Sequence, residues 1–252
     1  MNQYDQPNNS FTPIEVVSSQ TGSHAVAKNF MANVFLWMFG ALALSAFFAY
    51  LFTGNEQLLS YLIDFENGKL NMLGWAVMLA PLGFVLLMSF GYARLSAPAI
   101  TALFLLYSAI NGISLSFILM IYTAGSVISC FLAASAMFGI MAVMGYTTNK
   151  DLTSMGRILM MGVIGIVVAM LINMFMKSEA ISYIVSLIGV IIFTGLTAYD
   201  VQKLKRIGAG IEFEGVGAAE VKKLSIMGAL NLYLDFINLF LFMLRLFGGR
   251  RD

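Results

Sequence analysis

Cysteine and histidine occur once each in this 252-residue chain, as Cys130 and His24. No intrachain disulfide can form, and no Cys/His cluster can hold a zinc ion. His24 lies in a polar segment, so a histidine base or metal ligand inside a membrane is excluded. Charge is scarce as well: Asp, Glu, Lys and Arg make up 11% of the residues, against about 25% in ordinary soluble domains. The formal net charge of +1 gives no basic surface for nucleic acid. No Gly-x-Ser-x-Gly nucleophile motif is found. What the chain has in excess is apolar: 60% of its residues are hydrophobic. That combination places it among multi-pass membrane proteins.

Residues 1–29 differ from the rest. They are rich in Asn, Gln, Ser and Thr, carry Pro7 and Pro13, and lack helical periodicity. They read as a disordered polar tail. No short apolar region follows a basic start, so they do not read as a signal peptide. Residues 30–248 read as one membrane domain, and 249–252 as a short C-terminal tail. An apolar stretch of about 20 residues spans a bilayer as a helix. Seven such stretches are expected, at 30–52, 72–92, 98–122, 126–146, 157–176, 181–200 and 226–247. The fold class is therefore an all-α membrane protein with seven transmembrane helices.

Lys and Arg in short loops set orientation. Lys28, Arg94, Lys150, Arg157, Lys203, Lys205, Arg206, Lys222 and Lys223 fall on one side. Lys69, Lys177, Arg245, Arg250 and Arg251 fall on the other. The bias predicts a cytoplasmic N-terminus and an external C-terminus in a bacterial inner (plasma) membrane. The terminal Arg250-Arg251 pair leaves a re-entrant last segment as the alternative. Small residues recur as Ala41, Ser45 and Ala49 on the first helix and cluster as Ala133, Ala134, Ser135, Ala136 and Gly139 on the fourth. Both patterns predict close helix packing. Pro81 predicts a kink in the second helix, and Pro98 suits the first turn of the third. The acids Glu56, Asp64 and Glu66 mark a solvated first loop.

Asp235 sits inside the most apolar run. A carboxylate at a membrane helix centre opposes insertion by roughly 2.5–3.5 kcal/mol. Thirteen Leu, Ile and Phe residues between Ile226 and Phe247 offset this, at about 0.3–0.6 kcal/mol each. An acid tolerated at that depth is a candidate functional residue. Asn231 and Asn238 share its helix face and predict a polar path or packing stripe. Asn111 and Asn173 are further intramembrane amides, expected to bond between helices. Asp200, at the end of the sixth stretch, reads either as a solvated helix end or as a partner for Asp235. Arg94 reads either as a loop anchor or as a counter-charge for a buried acid.

Two segments carry a resemblance. Thr197-Ala198-Tyr199-Asp200-Val201-Gln202-Lys203 and Leu232-Tyr233-Leu234-Asp235-Phe236-Ile237-Asn238-Leu239-Phe240 resemble the two signatures of the Bax inhibitor-1 family, in a bacterial-type member. The resemblance covers residues 30–248. It implies six helices around a central last helix. It also implies a pH-sensitive calcium leak channel gated by a hydrogen-bonded aspartate pair, here Asp200 and Asp235. It implies a basic latch near the inner end of the second helix, a place that Arg94 occupies. The family's further acid in that helix has no counterpart around Gly83.

Two carboxyl groups at hydrogen-bond distance take up and release protons as a unit. Protonated, the pair would hold the last two helices together; ionised, its members would repel. Calcium takes oxygen ligands, and Asp200 and Asp235 would offer a weak calcium site, suited to an ion that must also leave. No resident cofactor and no enzymatic activity are expected. The partners expected are the lipid bilayer, calcium as permeant ion, and no nucleic acid. The alternative is a non-conducting membrane regulator or scaffold acting on a membrane protease or a cell-death partner. A proton-coupled transporter is a third reading.

Overall fold

Inside lipid a backbone must satisfy its own hydrogen bonds, and a helix does so within one segment. The computed structural model describes residues 19–65, 67–213 and 216–251. It consists of α1 (Ser19–Thr53), α2 (Glu56–Ser60), β1 (Ile63–Asp64), β2 (Lys69–Leu70), α3 (Met72–Gly91), α4 (Ala97–Ile121), α5 (Ala124–Thr147), α6 (Thr153–Met176), α7 (Glu179–Phe213) and α8 (Ala218–Phe247). Seven helices, all but α2, are long and apolar enough to cross a membrane. Side chains set where three of them begin. Asn71, Ser96 and Thr123 accept first-turn backbone N–H groups of α3, α4 and α5, and Pro98 occupies the first turn of α4. Pro81 lies inside α3, which continues as one helix on both sides of it.

Three elements run longer than their apolar cores. α1 begins at Ser19, inside the segment that composition marks as tail; residues 1–18 lie outside the described residues. α7 continues past Asp200 to Phe213, and α8 begins at Ala218 rather than near Ile226. The charges in these extensions are accommodated without breaking the helix. Arg206 pairs with Asp151 at 2.7 Å, Lys205 donates to the Tyr146 carbonyl, and Lys223 pairs with Glu220 at 3.2 Å. The α1 extension approaches Gly208, in the part of α7 beyond Asp200, through the Ala27 backbone, next to the buried Phe30. The first loop also differs from expectation. It folds into α2 and the antiparallel β1–β2 hairpin, where Asp64 accepts both the backbone and side-chain N–H groups of Asn67. Glu66 lies outside the described residues.

The last helix is central. In its most apolar window 72% of α8 is buried, against 6% for α6. It packs directly on α1, α4, α5 and α7, while α3 lies against α4 and α6 against α7 on the outside. Six helices thus surround it in two tiers. α8 is one continuous helix, and the chain after it docks on the α4–α5 turn. Thr123 N–H donates to the Gly249 carbonyl and Arg251 N–H to the Ile121 carbonyl. The last segment therefore contains no re-entrant turn and is long and apolar enough to cross.

The small residues divide by face. Ala41, Ser45 and Ala49 are all buried, and α1 packs most extensively on α4. Of the five clustered small residues on α5 only Ala134 is buried; Ala133, Ala136 and Gly139 face outward and Ser135 is half-buried. The expectation of close packing across that whole cluster is corrected. Its residues fall on several sides of a helix that has neighbours on only some of them.

Candidate functional site

Asp235 lies mid-way along α8 and is only 5% exposed. Asp200 lies inside α7, well short of its end, and is half-buried. The two side chains meet across the α7–α8 interface in a carboxyl–carboxyl hydrogen-bond contact. The solvated-end reading of Asp200 therefore fails, because α7 carries on beyond it. One oxygen of the pair is telling. Asp235 Oδ2 is fully enclosed and has no hydrogen-bond donor beside it. A buried acceptor without a donor is unfavourable by about 1–3 kcal/mol, more when charged. A proton on the pair takes away the charge that makes this worse.

The charges near the pair are unequal. Lys203, one turn along α7, is the cation whose field reaches Asp200. Arg94 does not take part. It is exposed in the α3–α4 turn and forms no ion pair among the described residues. From the same turn it is Tyr92 that reaches α8. Its hydroxyl donates to Glu220, and Lys223 sits 4.5 Å above its ring. Sequence reasoning looked for a cation here and passed over the phenol. Burial, together with the Glu220 carboxylate, pushes the Tyr92 phenol well above its ordinary range, so it remains a donor.

The α8 amides differ from expectation, whereas Asn111 and Asn173 bond between helices as expected. Asn238 donates to the Leu234 carbonyl of its own helix, and Asn231 is half-buried. Neither bonds either carboxyl among the described residues. Asn173 donates to Ser182 across the α6–α7 turn. Asn111 belongs to a second polar centre that the sequence reading missed. Its side-chain amide donates to the Tyr233 hydroxyl at 2.8 Å. Ser45 Oγ donates to the Ser108 carbonyl at 2.7 Å, using its only proton. The 2.7 Å contact between Ser45 Oγ and the Tyr233 hydroxyl must then run from tyrosine to serine. Tyr233 is fully buried, edge-on to Tyr107. A tyrosine in an apolar helix needs a partner for its hydroxyl, and that was the available signal. Two residues apart on α8, Tyr233 and Asp235 point to different sides. One is fastened by neutral bonds to α1 and α4, the other faces a titratable partner on α7.

Beside Asp200, its neighbours Tyr199 and Lys203 line an open cleft of about 480 Å³ that also reaches Arg206 and Leu224. The α5–α6 turn closes over this end of the bundle. Gln202 bonds both the Lys150 carbonyl and the Leu152 N–H, and Arg206 holds Asp151. The Thr153 hydroxyl, then Arg206, then the Thr153 N–H hold the Asp151 carboxyl below the ordinary aspartate range. A carboxyl lowered in the folded state stabilises above its unfolded value of about 3.9 and loses that contribution as pH falls. Asp151→Asn should therefore melt slightly below wild type at pH 7, with the gap closing below about pH 3. A gap that stayed the same in acid would show that this turn is not held by the carboxylate.

Among the described residues no three Asp, Glu, His or Cys side chains cluster to hold a metal. Any cation at the pair would meet two carboxyl groups and no third acid among the described residues. A carboxyl pair buried beside a central helix, within seven membrane-crossing helices, defines a multi-pass integral membrane protein with an intramembrane acidic site. The family described as "Inhibitor of apoptosis-promoting Bax1" matches residues 27–252. The chain is 46% identical over 224 residues to the inner membrane protein YbhL of Escherichia coli, covering 89% of this chain and 93% of that one. It is 42% identical over 228 residues to a Borreliella burgdorferi protein (90% and 94% covered). A Deinococcus radiodurans protein is 40% identical over 238 residues (94% and 97% covered). The chain belongs to the Bax inhibitor-1 family.

Proposed function

We propose that the protein is a pH-gated, low-conductance cation leak of a bacterial inner membrane, with calcium as the permeant ion and the N-terminus in the cytoplasm. The observation that carries this reading is the Asp235 carboxyl, enclosed with one oxygen lacking a donor and in contact with Asp200. While a proton is shared, α7 and α8 are held together. When both carboxyls ionise they repel, and α8 is free to shift on its α7 side while Tyr233 holds it to α1 and α4. Asp200, half-buried beside the cleft, is the member that exchanges protons with water. It relays them to the enclosed Asp235.

Oxygen-only donors at the pair suit a hard cation, and two carboxyls bind one weakly enough for it to leave. The family resemblance supports calcium among such cations. The lysine bias at the Lys203–Arg206 end supports a cytoplasmic placement of that end. Arg94 forms no ion pair among the described residues and would act as a latch only after the α3–α4 turn moves.

Calcium flux into proteoliposomes, measured from pH 5 to pH 8, tests the proposal. Wild type should show flux that varies with pH, and Asp200→Asn and Asp235→Asn should each show flux that does not. Both variants keeping the wild-type pH profile would sink the gating mechanism. A folded wild type without flux at any pH would point to the regulator reading.

A further inference from the structure

Opposite the Lys203–Arg206 end, the bundle opens into a second cavity of about 710 Å³. Its walls are the C-terminal end of α8, the chain just after it and the first turns of α7. Arg245 and Arg250 face it with Ser182, Tyr183 and Ser186, and Glu179 is the one acid on its lining. Two guanidinium groups against one carboxylate leave a balance of one positive charge (2 − 1 = +1). Neither arginine has an ion pair among the described residues. Arg245 rests on the Phe242 ring at 5.8 Å, which supports its guanidinium without neutralising it.

A smaller cavity of about 230 Å³ shares Arg245 and Ser182 with the first, and Met170, Met174 and Val185 wall it. Met174 is 62% exposed on the outward face of α6. The charged mouth thus continues into a groove between α6 and α7, polar at Asn173 and Ser182 and apolar along Met170, Met174 and Val185, that opens toward the acyl chains. Guanidinium groups bind phosphate oxygens in a two-pronged fashion. A free anion would use the mouth alone, whereas a molecule with a phosphate head and a hydrocarbon tail would use both cavities.

We infer that this mouth and groove form a binding site for an anionic glycerophospholipid. The phosphodiester sits on Arg245 and Arg250, and one acyl chain lies along Met170 and Met174. The single net positive charge of the lining matches the single negative charge of a phosphodiester. The mouth lies where seven spans end, at the level where headgroups meet water. The site stands apart from the aspartate pair and does not rest on the leak reading.

Full-length protein can be titrated in detergent with dioleoyl-phosphatidylglycerol, with diolein or with inorganic phosphate. Lipid retention is read by native mass spectrometry and stability by thermal melting. Phosphatidylglycerol should remain bound and raise the melting temperature, while diolein and phosphate alone should do neither. The double variant Arg245→Gln/Arg250→Gln should bind the lipid ~tenfold more weakly, equivalent to about 1.4 kcal/mol. Lys177→Gln, a charge at the same end but outside both cavities, should bind it as wild type does. Equal retention by the double variant, or an equal loss in Lys177→Gln, would overturn the site. An equal melting shift from phosphate alone would reassign it to a free anion. Met174→Trp keeps both arginines and closes the groove, so it carries the test if the double variant does not fold. Undiminished retention in Met174→Trp would overturn the acyl-chain half of the inference and the lipid with it.

Discussion

Asp235→Asn is expected to raise the melting temperature at neutral pH and to flatten the dependence of stability on pH. Asparagine has almost the same shape as aspartate, so the packing around α8 is kept. The enclosed oxygen that lacks a donor is replaced by an amide, whose N–H can donate to the Asp200 carboxylate. An unsatisfied buried polar group is destabilising by about 1–3 kcal/mol. For a chain of this length, each kcal/mol moves the melting temperature by about 2–4 °C. The gap over wild type should widen as pH rises through the range where the pair gives up its proton. It should close at low pH, where the protonated carboxyl supplies an equivalent donor. Melting of both proteins in detergent from pH 5 to pH 8 checks this. An asparagine variant that melts below wild type at every pH would mean that the acid is held by a favourable contact, and the shared proton would lose its support.

That prediction separates stability from transport. A variant that is more stable yet no longer pH-responsive in flux is the signature of a switch. A purely structural acid would lose stability when replaced. The same variant thus tells apart a pair that pins the helices and a pair that senses protons.

Much of the architecture was legible because membrane insertion imposes a coarse rule. Seven apolar runs became seven spanning helices, and the unusual acid at Asp235 was a buried one. The details that failed share a cause. Apolarity marks where a helix lies in lipid but not where it stops, so Asp200 looked terminal while α7 continued through Lys203, Lys205 and Arg206. Those charges are paired or reach outward, and nothing in the sequence says so. The spacing of Asn231, Asp235 and Asn238 correctly put them on one face, but spacing does not tell what lies opposite. Asn238 turned back to its own backbone. The polar partner on the other side of α8 was Tyr233, hidden because tyrosine counts as apolar in a hydropathy reading. Likewise Arg94 stands in the expected turn, yet the contact to α8 comes from Tyr92.

Gly145→Val is expected to be strongly destabilising and to disturb the aspartate pair as well. A Cβ at Gly145 would overlap the carbonyl and Cα of Ala198 on α7. Both are backbone atoms, so no rotamer change can relieve the clash and α5 must move away from α7. Forcing extra atoms into a packed interface is destabilising by about 1–3 kcal/mol, occasionally more, or roughly 2–12 °C at about 2–4 °C per kcal/mol. Gly139 lies on the same helix with nothing near a Cβ. There Gly→Ala should gain up to about 1 kcal/mol from helix propensity alone, which makes it the control. Gly112 offers a second comparison. A Cβ there would overlap the Ser45 backbone of α1, so Gly112→Val should destabilise to a similar degree. The two differ in what lies beyond the clash. Ala198 is two residues from Asp200, whereas Ser45 belongs to the Tyr233 network. If the α5–α7 approach sets the geometry of the pair, Gly145→Ala should shift the pH midpoint of flux and Gly112→Ala should leave it in place. Equal shifts in both would mean that the pair responds to loosening of the bundle in general.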